Sequence, residues 1–143
     1  MYVLNEIKLK YKPILTHEVK FDQAEIVVKY LRSKVDKNYI SEESFSIYLN
    51  RANNPIGFQK LGTGTVSSCV IDLQLVCASA LLTRSSGIIL CHTHPSGNLT
   101  PSDADLKVTK QIKNALALFD ITLFDHIILT PASFNSLQSL GLI

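Results

Sequence analysis

A chain of 143 residues, 46% of them hydrophobic and 18% charged, is long enough for one domain with a buried core and excludes a disordered protein. The formal net charge of +2 is too small to indicate a concentrated basic surface for nucleic acid. The three cysteines lack CxxC spacing, so neither a disulfide framework nor a cysteine-only metal site is expected.

The N-terminus and the hydropathy pattern indicate the compartment. The first six residues lack the basic and apolar segments of a signal peptide. No apolar run approaches the ~20 residues that a transmembrane helix needs. We therefore expect a cytoplasmic protein with no membrane partner, and the sequence does not indicate its oligomeric state.

The N-terminal part is predicted to contain a short strand and then a helix. Ile7 and Leu9 alternate with lysines, which indicates a half-exposed strand within an N-terminal extension over residues 1–20. Asp22 is predicted to begin the helix, with Glu25 as its capping-box partner. The apolar residues of this helix recur with the 3.6-residue period: Ala24, Val27, Val28, Leu31 and Val35.

A hairpin and a second helix are predicted next. Residues 44–49 alternate between polar and apolar side chains, as in a strand, and Asn53–Pro55 is a turn signal. Residues 56–61 are then the expected partner strand. The second helix is predicted from Asp72 to about Thr83, with these residues facing inward: Leu73, Val76, Cys77, Ala80 and Leu81.

The second half of the chain is predicted to contain two buried strands around a third helix. Gly87 precedes the continuous apolar run of residues 88–91, which is typical of a strand buried on both faces. A loop over residues 94–101 leads to Ser102, the predicted N-cap of the third helix. Phe124 to Thr130 is predicted as a further core strand, followed by a short C-terminal helix. Interspersed strands and helices around one core predict a three-layer α/β/α sandwich formed by residues 1–143 as a single domain.

The stretch from residue 91 to 105 carries the candidate chemistry. Residues two apart in a strand point to the same face, so His92 and His94 leave the strand side by side. Asp105 lies at the third position of the helix that Ser102 caps, close to the loop and to the two histidines. Two imidazoles and one carboxylate are a ligand set that leaves an open zinc position for water. The sequence therefore predicts one zinc ion, although iron or manganese can occupy the same set.

This block resembles the JAMM (MPN-plus) metalloprotease motif, and more closely its RadC-like branch. The branch carries His-x-His-Pro-Ser-Gly-x-x-x-Pro-Ser-x-x-Asp, and every fixed position is present from His92 to Asp105. The likeness extends over roughly residues 20–143, with the motif core at 42–130. The sequence shows no helix-hairpin-helix module, so it resembles the shorter, stand-alone form.

The resemblance implies a cytidine deaminase-like sandwich with a mixed sheet, a bound zinc ion and a glutamate that acts as general base. That glutamate opens a strand after the first helix. Counting back from residues 49–53 selects Glu42, whereas the local pattern selects Glu43. The two side chains point to opposite sides of the strand, so only one can reach the zinc site. Glu42 is favoured.

The motif and the resemblance indicate two candidate functions. The first is zinc-dependent hydrolysis of a peptide or isopeptide bond in a protein or peptide substrate, with Glu42 taking a proton from water and Ser102 donating to the oxyanion. The alternative is a DNA-repair or DNA-processing accessory module of the RadC type, which binds nucleic acid or a replication partner without proteolysis. The weak charge bias counts against a free-standing DNA binder.

Two other residues near the motif are expected to be structural. Strand parity points Cys91 away from both histidines, so a buried small side chain is expected. His126 lies inside an apolar strand and is predicted to be a hydrogen-bonded structural histidine, with a contact to a metal-binding residue as the alternative.

Overall fold

The computed structural model describes residues 6, 10, 20–64 and 71–143, which form five strands and three helices. None of the described helices is long and apolar enough to span a bilayer. The predicted strand at residues 7–9 lies outside the described residues. In chain order the elements are α1 (Ala24–Arg32), β1 (Glu43–Leu49), β2 (Pro55–Thr63), α2 (Leu73–Leu82), β3 (Gly87–Thr93), α3 (Asp103–Ala117), β4 (Thr122–Leu129) and β5 (Phe134–Ser136).

The five strands form one mixed sheet in the order β2-β1-β3-β4-β5. Neighbouring strands run antiparallel except β3 and β4, which are parallel. Parallel neighbours need a crossover connection, and here α3 supplies it. Because the crossover begins where β3 ends, the N-terminus of α3 lies beside the C-terminal end of β3.

The sheet is covered by α1 on one face and by α2 and α3 on the other, which confirms the α/β sandwich with a mixed sheet. Alternate residues of the central strands separate into two buried clusters, as expected for strands with both faces covered. The α1 cluster contains Val27, Leu31, Phe45, Ile47, Leu49, Ile89, Cys91, Ile127 and Leu129. The opposite cluster contains Tyr48, Val76, Ala80, Ile88, Leu90, Ile112, Leu116 and Leu123.

The predicted start of α1 was wrong, and so was the predicted burial of one residue of α2. The N-cap of α1 is Gln23 and makes no side-chain cap, so Asp22 and Glu25 form no capping box. Here the burial of the apolar stripe against the sheet stabilises the helix without a cap. Leu81, predicted to face inward, is 44% exposed. Only Val76 and Ala80, one turn apart, are buried in α2, so its contact with the sheet is narrower than the apolar pattern indicated.

The predicted C-terminal helix was also wrong, because the chain forms β5 and then turns. β5 pairs with β4 through Ile127 and Ser136. The Asp125 carboxylate accepts hydrogen bonds from Ser136 Oγ (2.6 Å) and Gln138 N (3.1 Å). These tertiary contacts satisfy the backbone N–H of Gln138 and the hydroxyl of Ser136, and Leu137 is fully buried.

Gly87 at the start of β3 is required by close packing. A Cβ at this position would lie 1.9 Å from Phe124 Cε2. We expect Gly87→Ala to lower the free energy of unfolding by about 1–3 kcal/mol, because the Phe124 ring must move. Urea denaturation of Gly87→Ala in the wild-type and Phe124→Ala backgrounds measures the coupling. An equal cost in both backgrounds would contradict the steric explanation.

Candidate metal centre

The end of β3 and the start of α3 bring His92, His94 and Asp105 together. The two Nε2 atoms are 2.8 Å apart. Asp105 Oδ1 lies 3.3 Å from His92 Nε2, and Asp105 Oδ2 lies 3.6 Å from His94 Nε2. The ligand atoms of the three residues all lie within 4.8 Å of one another. One cation can therefore contact all three side chains.

The capping box of α3 orients the Asp105 carboxylate. Ser102 Oγ accepts from Asp105 N at 3.1 Å, and Asp105 Oδ2 accepts from Ser102 N at 2.8 Å. The predicted N-cap is thus confirmed, with Asp105 at the third helical position. Because the backbone of Ser102 holds Oδ2, the carboxylate is fixed with Oδ1 directed at His92 and Oδ2 on the side of His94.

His94 is oriented by the loop that follows β3. Its backbone N–H donates to the carbonyl of Leu129 at 2.8 Å, and its Nδ1 lies 2.6 Å from the carbonyl of Asn98. A carbonyl can only accept, so Nδ1 carries the hydrogen and the lone pair of the neutral ring lies on Nε2. The Asn135 side chain holds the same loop through the carbonyl of Leu99 at 3.0 Å.

His92 is fully buried and is oriented from behind by a second histidine. Its Nδ1 lies 2.8 Å from His126 Nε2, and His126 Nδ1 lies 2.6 Å from Thr109 Oγ1. Burial lowers the pKa of His126 well below its ordinary value, so this ring is neutral. His126 is thus hydrogen-bonded, as predicted, and its partner is one of the candidate metal ligands.

The electrostatics of the cluster favour a positive charge at its centre. Burial by itself raises the pKa of Asp105, but the adjacent His92 and His94 rings outweigh it, so the pKa lies well below its usual range. The neighbouring Asp105 carboxylate raises the pKa of His94. A partly buried carboxylate anion therefore faces two ring nitrogens, and a zinc ion fits this donor set.

The two candidate glutamates have different surroundings. The Glu43 side chain is buried, accepts from Asp36 N at 2.7 Å and pairs with Lys60 Nζ. Glu42 is half-buried and interacts electrostatically with His94, His92 and Asp105. Burial is the main cause that raises the pKa of the Glu42 carboxyl, and the histidines oppose it. Of the two glutamates, Glu42 is therefore the one whose carboxyl couples electrostatically to the cluster, and its role as general base stays a prediction.

The comparisons with known proteins agree with this geometry. The family described as RadC-like JAB domain matches residues 21–142. A UPF0758 protein of Flavobacterium johnsoniae is 38% identical over 101 residues, 71% of this chain and 44% of its own length. UPF0758 proteins of Fusobacterium nucleatum and Pseudomonas fluorescens are each 33% identical, over 99% and 97% of this chain and 61% and 62% of their own lengths.

A mixed sheet between helices, with a His-His-Asp cluster at one end, defines the class as a JAB-type domain. The chain belongs to the RadC-like JAB domain family, so the predicted resemblance is confirmed. The chain spans about half of the length of these relatives. The stand-alone form, the general base and the localisation therefore stay predictions.

Sequence reasoning missed Thr109 as a residue of the site. Its hydroxyl contacts both the carbonyl of Asp105 and His126. The available signal was its position one helical turn after Asp105 on a face otherwise occupied by core residues.

The metal centre predicts different behaviour for two aspartates in the first turn of α3. We expect wild-type protein to bind one zinc ion per chain. Asp105→Asn should lower the affinity by more than about 100-fold, since loss of a ligand exceeds the 10- to 100-fold effect of outer partners. Competition with a chromophoric chelator measures this affinity.

Asp103→Asn is the matched control, because Asp103 is exposed in the same turn and lies outside the cluster. It should leave zinc affinity unchanged. Equal affinities of the two variants would contradict the assignment of Asp105 as a ligand.

Proposed function

We propose that this domain is a zinc-dependent hydrolase that cleaves a peptide or isopeptide bond in a protein or peptide substrate. The observation that carries the proposal is the convergence of two imidazole Nε2 atoms and one carboxylate oxygen at a strand end. Three ligands of this kind are typical of catalytic zinc, since structural sites use four protein ligands. Family membership supports metal-dependent hydrolysis as the reaction class.

His92, His94 and Asp105 would hold the zinc. When bound, the ion supplies Lewis acidity, which polarises the scissile carbonyl and lowers the pKa of coordinated water toward ~7. The protein supplies the ligand geometry through the capping box of α3 and the carbonyl of Asn98.

Glu42 is the proposed general base and acid. Its carboxylate interacts with the same three residues that would hold the zinc, and burial raises its pKa from the ordinary value. A base with a raised pKa is better matched to neutral pH. Glu42 would take a proton from the attacking water and later give it to the leaving amine, so the same side chain both accepts and returns the proton.

Ser102 is the proposed donor to the oxyanion. Its Oγ accepts from Asp105 N, which leaves the hydroxyl hydrogen for another acceptor. Its backbone N–H holds Asp105, so the same residue supports a ligand and faces solvent at the start of α3. A hydroxyl donor beside the metal would stabilise negative charge that develops on the carbonyl oxygen.

The two neighbouring glutamates provide the sharpest test of the mechanism. We expect Glu42→Gln to lower kcat by about 10²–10⁴-fold, because proton transfer is lost, while zinc stays bound. Glu43→Gln should keep its turnover, since Glu43 faces Asp36 and Lys60. Hydrolysis of fluorogenic peptides and ε-amino-linked isopeptides, with zinc content measured in parallel, checks both variants.

The reverse result, with turnover kept by Glu42→Gln and lost by Glu43→Gln, would overturn the assignment of the base. Zinc-loaded wild-type protein that cleaves none of these substrates would overturn the proposed bond class and leave the metal centre intact.

The nucleic-acid alternative is tested by salt dependence. Lys107, Lys110 and Lys113 are exposed at three-residue spacing on α3, which is the feature that would contact phosphates. Binding through such contacts weakens steeply with salt, with a slope of about −0.7 per phosphate on single strands. We expect no such binding of single-stranded or branched DNA. Binding that has a steep slope and is lost in the triple alanine variant would favour the alternative.

A further inference from the structure

A continuous hydrogen-bonded chain joins the backbone of α3 to the back of His92. Thr109 Oγ1 lies 2.6 Å from the carbonyl of Asp105 and 2.6 Å from His126 Nδ1. His126 Nε2 lies 2.8 Å from His92 Nδ1. This series of hydrogen bonds therefore begins at the backbone carbonyl of one candidate ligand, Asp105, and ends on the ring of another, His92.

The carbonyl at the start of this series fixes the direction of every hydrogen bond in it. The carbonyl of Asp105 can only accept, so the Thr109 hydroxyl donates to it. His126 Nδ1–H then donates to Thr109 Oγ1, and the second nitrogen of His126 is left with a lone pair. That lone pair accepts from His92 Nδ1–H, so the lone pair of His92 lies on Nε2, which faces His94 and Asp105.

The opposite assignment of donors and acceptors in these hydrogen bonds is unfavourable. If Thr109 donated to His126, the hydroxyl oxygen would face the Asp105 carbonyl oxygen at 2.6 Å with no hydrogen between them. His126 would then donate to His92, and His92 would carry its hydrogen on Nε2, where it could not bind a cation. His92 and His126 are both fully buried, so water cannot easily correct the wrong tautomer.

We infer that Thr109 and His126 are positioning residues that hold His92 as the Nδ1–H tautomer and thereby fix its Nε2 as a metal ligand. The inference rests on the metal centre of the proposed function and is independent of the bond that is cleaved. We call the hydrogen-bonded series Thr109–His126–His92 the relay. It couples β3, α3 and β4, because each of its three residues comes from one of these elements. His94 needs no such relay, since a backbone carbonyl binds its Nδ1 directly.

The hydroxyl of Thr109 is tested by an isosteric replacement. We expect Thr109→Val to lower zinc affinity by about 10- to 100-fold, the effect typical of partners that orient a ligand. Thr109→Ser keeps the hydroxyl and should bind zinc as the wild type does. Chelator competition on the folded full chain measures all three proteins.

A matched control separates the relay from general helix stability. Thr83 ends α2 and donates to the carbonyl of Ser79 at 2.7 Å, remote in the chain from the metal centre. Thr83→Val loses a comparable hydroxyl–carbonyl bond and should keep wild-type zinc affinity. Equal losses of affinity in Thr83→Val and Thr109→Val would overturn the inference.

A spectroscopic readout tests the tautomer itself. Histidine ring ¹⁵N chemical shifts in the metal-free protein should report hydrogen on Nδ1 and none on Nε2 of His92, and Thr109→Val should shift this population toward Nε2–H. His126→Gln, whose amide oxygen can still accept from His92, should retain more zinc affinity than His126→Leu, which removes the acceptor.

The outcomes distinguish the inference from the proposed function. Normal zinc affinity and an unchanged His92 tautomer in folded Thr109→Val would overturn the relay and leave the hydrolase proposal intact. Absence of zinc binding by the wild type would overturn both. Zinc-loaded wild type without hydrolysis, combined with the expected loss in Thr109→Val, would support the relay and contradict the hydrolase.

Discussion

The parallel pairing of β3 with β4, connected through α3, is the constraint on which the rest of the molecule depends. A parallel pair must be joined by a crossover, and this crossover starts at the strand end that carries His92 and His94. The N-terminus of α3 therefore lies beside the histidines. Asp105 and Thr109 occupy its first two turns, and His126 lies directly opposite Leu90 on the neighbouring strand. All five side chains thus come from one β-α-β unit.

Ordinary elements of helix and strand stability also organise the candidate metal centre. The capping box that stabilises the start of α3 holds one oxygen of Asp105 and leaves the other for a cation. The Thr109 hydroxyl satisfies the carbonyl of Asp105 and a ring nitrogen of the buried His126 at once. Buried polar groups are costly unless they are hydrogen-bonded, so these contacts keep the core stable and the ligand atoms aligned in the same arrangement.

Local sequence signals succeeded where short-range geometry governs and failed where distant contacts govern. The Ser102 cap depends on residues three apart, and it formed as predicted. The start of α1 and the C-terminal helix depended on packing against the sheet, so Gln23 and β5 replaced the predicted Asp22 cap and helix. The choice between Glu42 and Glu43 rested on strand register, and only pairing with Asp36, Lys60 and Thr93 fixed the position of Glu43.

The sequence by itself determined the candidate ligand types and their spacing, because His-x-His and Ser-x-x-Asp encode strand and helix periodicity within fourteen residues, and the whole motif indicated the family. It also determined the α/β class through the alternation of apolar patterns. Tertiary structure alone decided which groups stand behind the ligands. Thr109 and His126 are seventeen residues apart, and His92 and His126 thirty-four, so their contact exists only once β4 lies beside β3. Periodicity acts over a few residues, whereas this contact depends on chain topology.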